Sequence, residues 1–263
     1  MACIIAIANQ KGGVAKTTTV INLGAALTLQ DKKVLLVDID PQANCTKGLG
    51  IQLSRDDPGI HTVICAPEKG SEQSICQTSI GNLDIIPSHI TLAGIEQALV
   101  SKVGGWLALS IALEDVASKY DYVLIDTPPS LGMFSLNGII ASDWVIIPVE
   151  AEIYALDGMD DLQHHIQQVQ SMLKKSVKIM GAVITKYQGT TKVHTTLYKQ
   201  LQEYWGKMIF NTIIRKNVDV SAAALLSTPV VVMVPKAMAS EDYISLAREV
   251  QDRGSQTNGR DSS

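Results

Sequence analysis

A chain of 263 residues, 46% hydrophobic and 18% charged with a formal net charge of −4, can bury one large core and need not divide into two domains. No apolar stretch approaches the roughly 18 residues that span a bilayer, and no charged n-region precedes a long apolar run at the N-terminus, which argues against a signal peptide. The four cysteines, Cys3, Cys45, Cys65 and Cys76, show neither C-x-x-C spacing nor histidines at metal-ligand distance, so they read as reduced thiols of a cytosolic protein.

The first element is a buried-type strand, Ile4-Ile5-Ala6-Ile7-Ala8, running into Asn9-Gln10-Lys11-Gly12-Gly13-Val14-Ala15-Lys16-Thr17-Thr18-Thr19 and then a helix. This reads as a phosphate-binding loop. Residues without a Cβ let the backbone turn tightly enough to aim several N–H groups at one anion, and the helix adds its positive N-terminal end. Lys16 then reaches the outer phosphates of a nucleotide and the Thr17 hydroxyl ligates Mg²⁺. The competing reading is an ordinary Gly-Gly turn with a solvated Lys16. The order of strand, glycine pair, Lys-Thr and helix disfavours it.

Apolar residues at helical spacing continue to Leu29, after which Lys32-Lys33 turns the chain into a second fully buried strand, Val34 to Val37. That strand ends in Asp38-Ile39-Asp40-Pro41-Gln42. Ligands gather at the carboxyl ends of parallel strands, which predicts that these acids lie beside the phosphate loop. One carboxylate would hold the Mg²⁺ shell and another would polarise the water that attacks the γ-phosphate. An acidic loop with a turn proline is the plainer alternative.

Residues 51–82 are polar and broken by Asp56-Asp57-Pro58-Gly59 and Pro67-Glu68-Lys69-Gly70, predicting a loop with short helices. A strand over Leu83 to Pro87 and helical pieces over Leu92–Leu99 and Trp106–Val116 follow. Tyr122 to Ile125 is another buried strand, and it carries Asp126 at its carboxyl end, before Thr127-Pro128-Pro129. A lone acid on such a strand is well fixed to accept hydrogen bonds from Mg²⁺-bound water. Beyond it the pattern predicts a strand over Val145–Val149, a helix over about Tyr154–Leu173, and a strand over Ile179–Ile184. The adjacent His164 and His165 point about 100° apart on a helix and are read as solvent-side or interface residues.

Charge is unevenly distributed. From Lys174 to Lys216 there are nine Lys or Arg and one acid, a local balance of +8, against −12 over the rest of the chain. A face of this kind attracts a polyanion and binds DNA phosphates without reading bases. A merely solvated lysine-decorated rim is the competing reading. Lys186, Lys192, Arg215 and Lys216 are the candidate DNA contacts. A closing helix is predicted over Tyr243–Val250. Residues 1–251 read as one domain, and 252–263 as a polar, disordered tail.

Lys11-Gly12-Gly13-x-x-Lys16-Thr17, Asp38-x-Asp40-Pro41-Gln42 and Asp126-Thr127-Pro128-Pro129 together resemble the ParA/MinD family of ATPases, in its ParA/Soj branch, over roughly residues 2–250. The resemblance implies a doubly wound α/β fold of the P-loop NTPase type, with a mostly parallel sheet and helices on both faces. It also implies ATP and Mg²⁺ as cofactors, with catalytic roles for Lys11, Lys16 and Asp40. Asp40 would position the nucleophilic water, and Thr17, Asp38 and Asp126 would serve the metal. Lys11 would reach across an ATP-dependent homodimer to the partner's phosphates. That dimer would bind non-specific DNA on the nucleoid until a ParB-like or other cargo adaptor stimulates hydrolysis.

Two departures matter. Ala15 stands where the family has glycine: a positive φ there, or a Cβ aimed at a phosphate, would cost on the order of 1 kcal/mol or more, and an ordinary φ would make the change silent. Arg215 stands at the proline of the family's adenine pocket, and Asp219 at a commonly basic position, leaving Lys216 the better DNA candidate. A MinD-like membrane ATPase is the alternative positioning reading, but 251–263 offers no apolar face for an amphipathic anchor. The other alternative is a nucleotide-binding switch whose hydrolysis Ala15 impairs.

Overall fold

A computed structural model describes residues 2–152, 155–173 and 177–258. Its centre is one eight-stranded sheet built from β1 (Cys3–Ile7), β2 (Val34–Asp38), β3 (Cys76–Gln77), β4 (Leu83–Ile86), β5 (Tyr122–Asp126), β6 (Trp144–Glu150), β7 (Lys178–Tyr187) and β8 (Ile209–Arg215). The spatial order is β3-β4-β2-β5-β1-β6-β7-β8. Every pairing is parallel except β3 with β4 at the edge. Helices cover both faces, so the inner strands are apolar on both sides. This is the doubly wound, mostly parallel α/β architecture that the sequence predicts.

Alternation along the strands feeds two cores. Ile5 and Ile7 of β1, with Leu36 and Leu124, pack under the first helix, Lys16–Thr28, and the final helix, Met238–Asn258. Ala6, Leu35, Val37 and Val123 face the other side. There they meet the helices Ala108–Leu113, Met133–Ala141 and Ala155–Leu173. His164 and His165 of that last helix are exposed. Among the described residues no helix is long and apolar enough to cross a membrane.

The register brings the motifs together. Ile7 pairs with Asp126, and Asp126 pairs with Asp38, so three neighbouring strands end in one row. The loop after Ile7 must therefore pass over both acids.

Two of these strands were not visible in the sequence. The two-residue edge strand β3 lies inside the stretch read as a loop with short helices. β8 lies where only a family-like segment was recognised. The C-terminal boundary also needs correction: the final helix runs to Asn258, seven residues beyond the boundary expected at 251. Tyr243, Leu246, Ala247 and Val250 are its buried stripe. Arg253 then lies 4.0 Å from the Phe210 ring centroid, donates to the carbonyls of Met180 and Ile209 at 2.9 Å, and pairs with Glu249. A side chain with this many partners orders the polar segment around it. Residues 259–263 lie outside the described residues, as do Lys174 and Lys175 of the basic segment.

Ending the chain at Gln251 removes these charge-assisted bonds and is expected to lower the unfolding free energy by about 2–3 kcal/mol. Urea denaturation of the shortened and full chains measures this, and equal midpoints would show that Arg253 contributes nothing.

Candidate functional site

The phosphate loop is held by its flanking residues rather than by its glycines. Asn9 stands where a conventional loop opens with glycine. Its side-chain amide donates to Pro148 O at the end of β6 (2.8 Å), and its Oδ1 accepts from the Lys11 N–H (2.9 Å). Gly13 has φ +80°, and a Cβ on either Gly12 or Gly13 would meet no heavy atom within 4 Å, so the loop wall is open toward the cavity. Val14 is buried, and its carbonyl accepts from the Thr185 hydroxyl at 3.1 Å.

Ala15 answers the question that its sequence position raises. It takes φ 67° and ψ 32°, in the left-handed region, as the residue that starts the first helix. An L-residue pays on the order of 1–2 kcal/mol for that conformation. Ala43, after Asp-Pro-Gln, does the same with φ 54°. Backbone strain of this kind concentrates at functional loops.

Lys16 is 8% exposed, and its ammonium donates to Lys11 O at 3.0 Å. Burial pulls its pKa down, while Asp126 and Asp40 push back. Asp38 is fully buried and accepts from the Thr46 N–H (2.9 Å), the Thr46 hydroxyl (2.7 Å) and the Asp40 N–H (3.1 Å). Burial still lifts its pKa to about 6. Ser88 ties the Asp40 carbonyl (2.7 Å) to Thr46 (2.8 Å), closing this acidic loop into one network.

Asp126 differs from its neighbours. It is completely buried, and neither carboxylate oxygen completes a hydrogen bond. Burial, then the charge of Asp38, raise its pKa well above the usual range; the approach of the Thr17 hydroxyl opposes them only partly. A buried acid without donors is costly, and a hard cation or its water shell supplies what is missing. Among the described residues no group of three or more His, Cys, Asp or Glu could hold a metal alone. The site therefore suits an ion that brings its own oxygens, as a Mg²⁺–phosphate unit does.

Lys16 and Asp40 face a cavity of about 520 Å³ lined by Gly12, Gly13, Ala15, Lys16, Thr17 and Thr18 on the loop side, with Asp40 and Gln42. Its far wall is apolar: Val220, Ala223, Pro229 and Val230. Asn22 of the first helix bridges the two walls, accepting from Val230 N–H at 2.8 Å and donating to Thr18 O at 2.9 Å. The sequence reading missed this wall. The only signals for it were an asparagine within an apolar helix and Thr228-Pro229 ahead of a valine run.

The candidate DNA residues separate. Lys192 and Lys216 are exposed. Arg215 forms a bidentate pair with Asp242 (shortest contact 2.6 Å) and donates to Met238 O, fastening β8 to the final helix. In this structure it acts as a structural staple. Lys186 lines the cavity, donates to Gly13 O and pairs with Glu150. Lys11, expected to reach toward a partner, is paired with Glu152 of its own chain.

A family profile described as an AAA domain matches residues 2–179. The chain is 40% identical to the sporulation initiation inhibitor protein Soj of Bacillus subtilis, over 97% of this chain and 100% of that one. It is 37% identical to the chromosome partitioning protein ParA of Caulobacter vibrioides, over 95% and 94% of the two chains. A solved structure of cobyrinic acid a,c-diamide synthase from Mycobacterium smegmatis with bound ADP and magnesium superimposes with a TM-score of 0.82 at 33% identity, covering 94% of this chain and 93% of that one.

Replacing Ala15 by glycine removes the left-handed penalty but adds unfolded-chain entropy worth about 0.5–1 kcal/mol. The net expectation is a ligand-free protein more stable by about 0.5–1 kcal/mol in urea denaturation; a destabilised Ala15→Gly variant would contradict the strain assigned to this residue.

Proposed function

The chain belongs to the ParA/Soj family of P-loop ATPases, and from that premise we propose that it is a positioning ATPase that binds DNA non-specifically as an ATP-loaded homodimer and lets go on hydrolysis. The observation that carries the ATPase part is the meeting, at one sheet edge, of the phosphate loop, buried Lys16 and the donor-less carboxylate of Asp126. Lys11 through Thr18 would cradle the phosphates of ATP, and the apolar wall of Val220, Ala223 and Val230 would take the base. Thr17 and Asp126, with Asp38 behind them, would hold Mg²⁺, which when bound neutralises charge on the phosphates.

The chain's own groups divide the remaining work. Lys16 neutralises charge on the outer phosphates from within the loop. Asp40, 7% exposed and held by the Gln42 N–H at 2.9 Å, would orient an attacking water. Asp38 is spent on Thr46 and the Asp40 backbone, so it positions the loop rather than reaching the cavity. Lys11 would leave Glu152 to serve the partner subunit.

The DNA part is supported by the names of the relatives and by the exposed Lys192 and Lys216 within the +8 segment. A ParB-like or other adaptor would stimulate turnover, and the cytoplasm and nucleoid surface would be the place of action. A second reading, a nucleotide-binding switch with impaired hydrolysis, is favoured by one observation: the left-handed Ala15 beside Lys16.

Binding of a random-sequence duplex with ATP, with ADP and without nucleotide, over a salt series and with a Lys16→Ala control, tests the main reading. Affinity that needs ATP, falls steeply with salt and vanishes in the control is expected; no binding with any nucleotide would exclude a DNA-partitioning role. For Asp126→Asn, the apparent Mg²⁺ affinity in the presence of ATP should fall about 10- to 100-fold, read by nucleotide binding across a Mg²⁺ titration. Phosphate release by the ATP-loaded protein separates the ATPase from the switch.

A further inference from the structure

We propose that Lys186 is a further phosphate-contacting lysine of this site, supplied by the same chain as Lys16, which exchanges Glu150 for the triphosphate of the bound nucleotide. The inference rests on the nucleotide reading of the cavity and adds a residue to it.

The placement comes from β7. Its penultimate inward residue, Thr185, is fully buried, and its hydroxyl donates to Val14 O at 3.1 Å and reaches Val149 O at 3.3 Å. The end of β7 is therefore anchored on the phosphate loop itself. The next residue, Lys186, takes φ 51°, a left-handed conformation that a lysine adopts only at a cost. That turn directs the ammonium to Gly13 O and Glu150 and puts the side chain in the cavity wall. A strained non-glycine residue on a ligand cavity is the usual mark of a positioned functional group.

Charge accounts for the exchange. Glu150 and Glu152, at and just beyond the end of β6, hold Lys186 and Lys11 respectively. The Lys11–Glu152 pair is exposed on both sides and is weak; in the other pair Lys186 is 47% exposed and Glu150 15%, so the lysine end is the one able to turn to a stronger anion. A triphosphate in the loop presents more negative charge than one glutamate and more acceptor oxygens to the same ammonium. Lys11 sits on the exposed start of the loop and is free to swing outward. Lys186 follows the anchored Thr185 and already lies in the cavity wall, at Gly13 O.

The test is equilibrium binding of ATP, ADP and AMP to the full chain carrying Lys186→Met, Lys186→Arg or Glu150→Gln, beside the unaltered chain and Lys16→Ala. Lys186→Met should weaken ATP at least tenfold, ADP less and AMP not at all, because the loss follows phosphate number. Lys186→Arg should restore ATP binding to within about threefold, and Glu150→Gln should leave it unchanged or tighter. ATP affinity within twofold of the unaltered chain in Lys186→Met, or an equal loss for AMP, would overturn the proposal. So would a loss in Glu150→Gln matching that of Lys186→Met, since both side chains would then be structural. If the unaltered chain binds no ATP, the nucleotide reading itself fails; if Lys16→Ala loses ATP while Lys186→Met does not, only the role of Lys186 fails.

Discussion

The structure is organised around a charge it leaves unsatisfied. Parallel pairing aligns Ile7, Asp126 and Asp38 in one row, so the acid ending β5 is sealed beneath the loop that leaves β1. The acid ending β2 was given three donors of its own; Asp126 received none. In a protein selected for stability alone, an asparagine or an apolar residue would serve better there. Retaining the acid makes sense when a cation arrives with its own oxygens, and the surrounding geometry follows from leaving room for it. Lys16 is drawn into the same buried space, where burial weakens its hold on a proton and the neighbouring acids restore it.

Strain is the second expression of the same priority. Of the six non-glycine residues with positive φ among the described residues, Ala15 and Lys186 line the cavity, and Ala43 stands next to Gln42, which does. Ala15 is the most telling. Glycine would take φ 67° at no steric cost, so alanine there stiffens the loop at the expense of folding energy. A stiffer loop has fewer conformations to lose when phosphates bind. It is also less able to follow them through a reaction.

What the sequence made legible was whatever depends on local pattern. Continuous apolar runs announced the inner strands, and the acids closing β2 and β5 could be placed at one edge because parallel sheets gather their carboxyl ends. β8 escaped because its apolar positions mix with Asn211, Thr212 and Arg215, as expected of an edge strand exposed on one side. The end of the final helix escaped for another reason: 252–258 is polar throughout, and only the stacking of Arg253 on Phe210 shows why it stays helical. The ion pairs of Arg215 and Lys186 were not legible, since counting charges along a chain ignores where each acid folds back. Asp242 and Glu150 lie 27 and 36 residues away from them.

That lesson reshapes the basic segment itself. Its +8 balance is a property of the sequence, but two of the nine cations are consumed internally, Arg215 by the final helix and Lys186 by the cavity. The segment then does two jobs instead of one. Lys186 belongs to the cavity and Arg215 to the contact of β8 with the final helix, while Lys192, Lys199, Lys207 and Lys216 remain exposed. Lys186 lies at the end of β7, Lys192 and Lys199 lie on the helix Lys192–Trp205 that follows it, and Lys216 follows β8 just before the helix Val218–Leu225 that carries Val220 and Ala223 of the cavity wall. A single edge of the sheet thus joins the lining of the cavity to an exposed basic surface.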